Sequence, residues 1–318
     1  MAAGGSKSVI YAALAGNLAI AVTKFAAALW TGSSAMLSEA IHSTVDTSNQ
    51  GLLLYGMRRA ARPADATHPF GHGMEMFFWA FVVALLIFGL GGAVSIYQGL
   101  HKIAKPEPIE DAWVNFAVLG ASILFEGLAF RAAWRELRRR NPTEPAVSAV
   151  RSSKDPGVFA VLLEDAAAMT GLVIALIGVG LAQALDQPVL DGIASVAIGV
   201  VLILTAMFLA RETLSLMTGE SASRRTVERA RAVFVADPRV EWVDEVLGMH
   251  LGADSILLAV TVDFRDELNG REIETAAREL SETVRREQPE IKRVFLQPIH
   301  RKMPATAARP HDGAPVPA

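Results

Sequence analysis

Apolar residues run in long blocks along the first two thirds of this chain and in short, patterned stretches after that. Six long apolar segments precede about residue 212: Ser8–Trp30, Ala35–Leu54, Met74–Leu100, Trp113–Trp134, Val158–Ala184 and Val189–Leu209. Each reaches the ~20 residues needed to cross ~30 Å of hydrocarbon as a helix. Open strands leave backbone groups unsatisfied in lipid, so helices are predicted for all six. The first has too long an apolar stretch for a removable signal, and no convincing cleavage site. From Glu220 the pattern changes. Ser223–Ala236 reads as a helix, and Val240–Met249 and Ser255–Phe264 read as strands. Glu272–Glu287 carries Ile273, Ala276, Ala277, Leu280 and Val284 on one stripe, which predicts an amphipathic helix. Ile291–Gln297 reads as a third strand. The order αββαβ in ~80 residues suits a small α+β domain with helices on one face of a sheet.

The expected architecture is therefore an α-helical membrane protein with six transmembrane helices plus a C-terminal cytoplasmic α+β domain. The expected boundaries are 1–212 for the membrane domain, 213–302 for the cytoplasmic domain and 303–318 for a tail. Pro304, Pro310, Gly313, Pro315 and Pro317 predict disorder in that tail. Lys and Arg set the orientation. Arg58, Arg59 and Arg62 follow span two, Arg131 through Lys154 surround the end of span four, and Arg211 ends span six. Thr31–Ser34 and Gln183–Pro188 carry no cation. Both termini are expected in the cytoplasm, in a bacterial inner membrane.

Composition sharpens this picture. Of 318 residues, 52% are hydrophobic and 20% charged, against about 45–50% and about 25% in a soluble domain. The chain has no cysteine, which excludes thiolate metal sites, cysteine nucleophiles and redox motifs. Any metal must be held by imidazole, carboxylate, amide or backbone. A net charge of −3 provides no basic field for nucleic acid.

The charges left inside the apolar segments carry the chemistry. In span two, Glu39, His42, Asp46 and Asn49 are spaced three, four and three, which puts them on one helical face. A charge at mid-bilayer costs about 2.5–3.5 kcal/mol on insertion scales, so such a stripe needs a function or a partner. His42 and Asp46 at i, i+4 can offer a nitrogen and an oxygen to one ion, half of a tetrahedral zinc site. The alternative is that Asp46 bonds a neighbouring helix. In span five, Glu164 and Asp165 point about 100° apart. Asp165 is the better ligand candidate, and Glu164 could instead be an anion stabilised near a helix N-terminus. Lys24 in span one snorkels or pairs with a carboxylate. Glu126, mid-way in span four, is a proton carrier or a structural partner, as is Glu39.

Between spans two and three, Asp65, His68 and His72 can converge if the loop turns at Pro69, Gly71 and Gly73. Two imidazoles and a carboxylate suit Zn²⁺, with water as a fourth ligand. The bland alternative is a flexible loop with surface histidines. Phe88–Ala93 in span three is rich in glycine, which lets membrane helices pack closely.

Together these residues resemble the cation diffusion facilitator family of divalent-metal/proton exchangers. The likeness runs from Thr31-Gly32-Ser33-Ser34-Ala35-Met36 through His42-x-x-x-Asp46 to Pro69-Phe70-Gly71-His72-Gly73-x-Glu75. It continues in Asp165 with Gly171 downstream and ends in Asp191-Gly192-Ile193-Ala194-Ser195. Ser38–Ser43, Asn49-Gln50-Gly51 and Leu163-Glu164-Asp165 look most like the branch of mitochondrial-type zinc transporters.

The resemblance implies six spans, a ferredoxin-like cytoplasmic domain, and a homodimer formed partly through that domain. It implies a transport site of His42, Asp46 and Asp165, and a loop zinc site of Asp65, His68 and His72. The family commonly has a His four residues before the span-five Asp, and here Val161 stands there. Glu164, Asn49 or water must then complete the set. The basic residue usual after Gly-His-Gly is Met74 here. The cytoplasmic segment retains Asp244 and His250 but no metal-binding His cluster.

The implied activity is efflux of divalent metal, Zn²⁺ with Mn²⁺, Fe²⁺ or Co²⁺ as alternatives, against protons by alternating access. Metal needs deprotonated ligands, so metal and proton compete, and His42 could carry the counter-proton. A non-transporting membrane metal sensor or scaffold is the other class. An intramembrane metalloenzyme would need a base and an open metal position, and no His-Glu-x-x-His motif is present.

Overall fold

A computed structural model describes residues 3–107, 111–140 and 156–300. The predicted tail at 303–318, and the cations Arg151 and Lys154, lie outside these. The chain divides near Glu220 into two compact units.

The first unit is helical. Its elements are α1 (Ala3–Thr31), α2 (Ser34–Ala60), α3 (Glu75–Leu86), α4 (Val94–Ala104), α5 (Ala112–Arg140), α6 (Pro156–Ala184) and α7 (Val189–Met217). Three stretches among the described residues are long and apolar enough to cross a membrane: Glu75–Ala104, Phe159–Ala184 and Val189–Met217. Shorter apolar runs occupy Asn17–Thr31 and Trp113–Leu128. The polar stripe lowers the apolarity of α2.

The turn from α1 to α2 shows how sequence punctuates the unit. Gly32 takes φ +66°, the left-handed geometry that ends helices and that a Cβ disfavours. Ser33 then starts α2, its hydroxyl accepting from the Met36 amide at 3.2 Å.

One prediction needs revision. Span three is not a uniform α-helix, because a wider π-helical turn at Ile87–Ala93 separates α3 from α4. Glycine-rich sequence lowers the cost of the wider turn, and such insertions bend helices. The glycines there do serve close packing. A Cβ on Gly99 would lie 2.6 Å from the Gly192 carbonyl, and one on Gly199 would lie 2.7 Å from the Gly92 carbonyl. The pairs Gly92/Gly199 and Gly99/Gly192 thus let two helix backbones touch along α7, as small residues do in membranes.

The outer surface of this unit is apolar. Leu29, Trp30, Tyr97, Trp113, Leu124 and Leu204 are all more than half exposed. In water such an array would be an aggregation hazard, whereas in lipid it costs nothing. Polar side chains turn inward instead: Lys24, Glu39, His42 and Asn49 are buried.

The second unit is α8 (Arg224–Val235), β1 (Val240–Gly252), β2 (Ser255–Phe264), α9 (Gly270–Glu287) and β3 (Ile291–Ile299). This is the predicted αββαβ order. The sheet runs β1-β2-β3, with β2 and β3 parallel and Leu258, Val260 and Val262 opposite Val294, Leu296 and Pro298. Helix α9 bridges that parallel pair. A capping box of Asn269 and Glu272 starts it, and its Ala276, Leu280 and Val284 stripe joins Phe234, Leu258 and Val260 in one core.

Candidate metal centre

Helix α2 carries its polar residues inward as the three-four-three spacing predicts. Glu39, His42 and Asn49 are at most 1% exposed, and Asp46 is partly buried. His42 Nδ1 lies 3.5 Å from Asp46 Oδ1, too far for a hydrogen bond of good geometry. Both nitrogens of His42, the Oδ1 of Asp46 and the Oδ1 of Asn49 are buried without a hydrogen-bond partner. Each such orphan costs about 1–3 kcal/mol. Several on one face form a donor set of the kind a metal ion would fit.

Helix α6 faces this set. Asn49 Nδ2 donates to Glu164 Oε1 at 3.1 Å. Asp46 lies in the electrostatic field of Glu164, Glu126, Lys24 and Asp165. Both members of the acidic pair thus reach the site, Glu164 by hydrogen bond and Asp165 through space. The reading of Glu164 as an anion near a helix start is corrected. Helix α6 begins at Pro156, so Glu164 sits more than two turns inside it, beyond the reach of the terminal dipole. The donor atoms of His42, Asp46 and Asp165 do not form a trio within 4.8 Å of one another among the described residues. Val161 is part of the apolar packing one turn before Asp165.

Beside this set lies an ion triad. Lys24 is fully buried, and its ammonium donates to Ser43 Oγ at 2.8 Å, Glu126 Oε1 at 3.2 Å and Glu39 Oε2 at 3.3 Å. Of the two sequence alternatives for Lys24, pairing is therefore the one found. It ties α1, α2 and α5 together.

At the other end of the helices, Asp191 grips the start of α2. Its carboxylate accepts from Ser33 Oγ at 2.7 Å, from the Ser34 amide at 2.6 Å and hydroxyl at 3.0 Å, and from the Ala35 amide at 3.3 Å. A carboxylate on the free amides of a helix N-terminus is a favourable pairing. Asp191 entered the sequence reading only through the family motif. The signal that could have found its role is the Gly-Ser-Ser start of α2, which leaves amides in need of an acceptor.

The loop after α2 turns as expected. Gly71 takes φ +91°, and its amide closes a turn on the His68 carbonyl at 2.9 Å. The ligand atoms of Asp65, His68 and His72 gather within 4.8 Å of one another. Unlike the buried set, they already bond each other and their neighbours. Asp65 Oδ1 accepts from the Thr67 hydroxyl at 2.7 Å and the His68 amide at 2.7 Å. His72 Nε2 lies 3.0 Å from Asp65 Oδ2, and its Nδ1 lies 2.8 Å from Glu75 Oε1. Arg59 holds Glu75 with two hydrogen bonds of 2.6 and 3.1 Å. Hydrogen bonds from Thr67 and His72 hold the Asp65 carboxyl well below its usual range. Asp65, and then Glu75, hold the His72 imidazole above its usual range. Only an imidazolium can donate to a carboxylate at each nitrogen. Sequence reading used Arg59 only for orientation and Glu75 only as part of the family motif. In the second unit, no comparable trio of His, Asp and Glu gathers among the described residues.

Residues 10–218 match the model of the cation efflux transmembrane domain. The mouse protein named proton-coupled zinc antiporter SLC30A9, mitochondrial, is 30% identical over 294 residues, covering 90% of this chain and 52% of its own length. Its human counterpart is 32% identical over 263 residues, covering 82% of this chain and 46% of its own length. Metal tolerance protein C4 of Arabidopsis thaliana is 28% identical over 242 residues, covering 75% of this chain and 53% of its own length. The chain spans about half the length of these curated relatives.

Proposed function

The chain belongs to the cation efflux family of membrane transporters, on the branch of the mitochondrial-type zinc antiporters, and on that premise we propose that it exports Zn²⁺ in exchange for protons. The observation that carries this reading is the unsatisfied donor set of α2. Two imidazole nitrogens of His42 and one oxygen each of Asp46 and Asn49 are buried without partners. An arriving divalent ion relieves one nitrogen of His42 and both oxygens at once. His42 supplies nitrogen, Asp46 and Asp165 supply carboxylate oxygen, and Asn49 or Glu164 takes the position that Val161 leaves unfilled.

The rest of the reading follows from this centre. Six helical segments span the bilayer, supported by the exposed apolar residues on α1 and α5 as well as on α4 and α7. The termini lie in the cytoplasm of a cell whose bacterial inner membrane holds the protein. The second unit is a ferredoxin-like domain that joins two copies, and Trp242, Leu247 and Phe295 on its strands offer apolar area for that. Rocking of one helix group against another exposes the site to each side in turn. A resident Zn²⁺ on Asp65, His68 and His72 would brace the loop, with Glu75 orienting His72 from behind.

The missing imidazole at Val161 favours one second reading. An oxygen-rich set suits Mn²⁺, and also Fe²⁺ or Co²⁺. Metal uptake into proteoliposomes under an imposed pH gradient tests both. Zinc flux that follows the gradient and vanishes in His42→Ala is expected. Transport of Mn²⁺ in preference to zinc selects the second reading. Metal binding without any flux would make the protein a sensor or scaffold.

A further inference from the structure

Among the described residues, the Lys24 triad is a group of buried charge that the metal set does not use. One ammonium faces two carboxylates, Glu39 and Glu126. Lys24 and the Glu39 side chain are fully buried and that of Glu126 is 17% exposed. With both carboxylates ionised the triad carries one uncompensated negative charge in a low-dielectric place, which is costly. The neighbours do not cancel it. Lys24 on α1 is already counted, Ser43 on α2 is neutral, and Asp46 on α2 and Asp165 on α6 are themselves acidic.

A second observation marks where the deficit lies. Glu39 Oε1 is buried without any hydrogen-bond partner, although Oε2 of the same carboxylate is held by Lys24. That free oxygen points at Gly171 of α6, where a Cβ would collide with it. The pocket for Glu39 is thus made by a glycine on the helix that also bears Asp165. One further cation balances the triad, and the space beside a glycine accommodates nothing bulky. A proton meets both conditions.

We propose that Glu39 and Glu126 share one proton, with Lys24 as the fixed cation that sets the count at one, and that this is a proton released when metal binds. The inference rests on the transport-site reading above. It assigns the exchanged proton to groups that do not touch the metal. Glu39 and His42 are i, i+3 neighbours, so a divalent charge at His42 and Asp46 acts directly on the triad through a medium that screens poorly. As the ion arrives, one O–H bond of the pair breaks and its proton leaves toward water. When the ion departs, the pair takes a proton back. The proton belongs to the pair rather than to either glutamate.

The experiment is calorimetric titration of zinc into the full-length detergent-solubilised protein. Buffers of different ionisation enthalpy give the protons released per zinc. A background of Asp65→Ala with His68→Ala removes the loop site from the count. Glu39→Gln and Glu126→Gln are each expected to release about one proton fewer and to bind zinc about tenfold or more weakly than the background, since by linkage each variant is held in the protonated-like state. An unchanged count at retained affinity overturns the inference and leaves the transport site standing. No zinc binding in the background protein overturns both. Infrared difference spectroscopy of the unsubstituted protein covers the case in which the Gln variants do not fold. Zinc addition is expected to remove a protonated-carboxyl band, and zinc binding without that loss is again an overturning result.

Discussion

The buried donor set and the loop set use the same residue types and solve opposite problems. In the loop, Asp65, His68 and His72 have their donor atoms within 4.8 Å, and Asp65 and His72 already satisfy each other. Within the helical unit, His42, Asp46 and Asn49 have unmatched atoms, and His42, Asp46 and Asp165 form no such trio among the described residues. Water can replace a metal at an exposed site, so a loop can be complete with or without its ion. The difference separates a place where an ion can reside from one that a passing ion completes and then leaves incomplete.

The strongest way to break this comparison is to delete donors from each side of it. His42→Ala and Asp46→Ala are expected to reduce metal flux in proteoliposomes to background, with the protein still monodisperse. Asp65→Ala with His68→Ala is expected to keep about half or more of the flux, as a bracing site should. Equal loss in both would erase the distinction, and so would persistence of flux in both membrane variants.

The next test concerns the link between α2 and α6. Asn49→Leu removes the donor that Glu164 accepts from and buries an unpaired carboxylate. Loss of the Asn49 oxygen from the donor set outweighs this, and at about 1.4 kcal/mol it predicts a fall of about tenfold in zinc affinity. Asn49→Asp places two acids together and is expected to lower zinc affinity less, because the ion can take both oxygens. An Asn49→Leu protein with unchanged zinc affinity would remove α2–α6 pairing from the site.

Much of this contrast was legible in the sequence, and the parts that were not have physical reasons. The stripe of Glu39, His42, Asp46 and Asn49 was readable because a helix converts spacing into direction. The strands at Ser255–Phe264 and Ile291 onward were readable from apolar pattern alone. The partner of Lys24 was not, since three helices contribute to that contact and no local rule ranks tertiary neighbours. Of the two readings of Glu164, the helix-start one fails because α6 begins at Pro156, which leaves the residue more than two turns inside the helix. The π-helical turn at Ile87–Ala93 has no distinct sequence period, and glycine there signalled only close packing. The contact of Glu75 and Arg59 with His72 was not legible, because it depends on the loop bringing His72 back to α3.

A gain-of-function variant sharpens the comparison at smaller amplitude. Val161 stands one turn before Asp165 on α6, and a second imidazole there would shift the donor set toward nitrogen. Val161→His is expected to raise zinc affinity relative to manganese by several-fold, about 1 kcal/mol of selectivity, in line with softer ligands favouring zinc. Competition between the two metals in the same proteoliposomes reads this ratio. A ratio shifted toward manganese would mean that Val161 does not face the ion.

The smallest effect expected is a pH dependence confined to the loop. His72 has its pKa raised by Asp65 first and Glu75 second, so in the metal-free protein its proton persists above the ordinary imidazole value of about 6.5. The sign follows from linkage: the imidazolium's contribution to stability is fully present below that ordinary value and is lost as pH rises through the raised one. Zinc at the loop must displace this proton. Its affinity is therefore expected to rise with pH across that window and to level off above it. Measured on a protein whose transport site is silenced by His42→Ala, the loop's zinc affinity should change by a few-fold per pH unit there, up to the tenfold that one proton allows. Glu75→Gln weakens one of the two anionic partners of His72, so it should move the window toward lower pH. A pH-independent loop affinity, or a Glu75→Gln window that moves upward, would mean that Asp65, His72 and Glu75 do not hold the proton in common, and the loop would then differ from the membrane site only in its exposure.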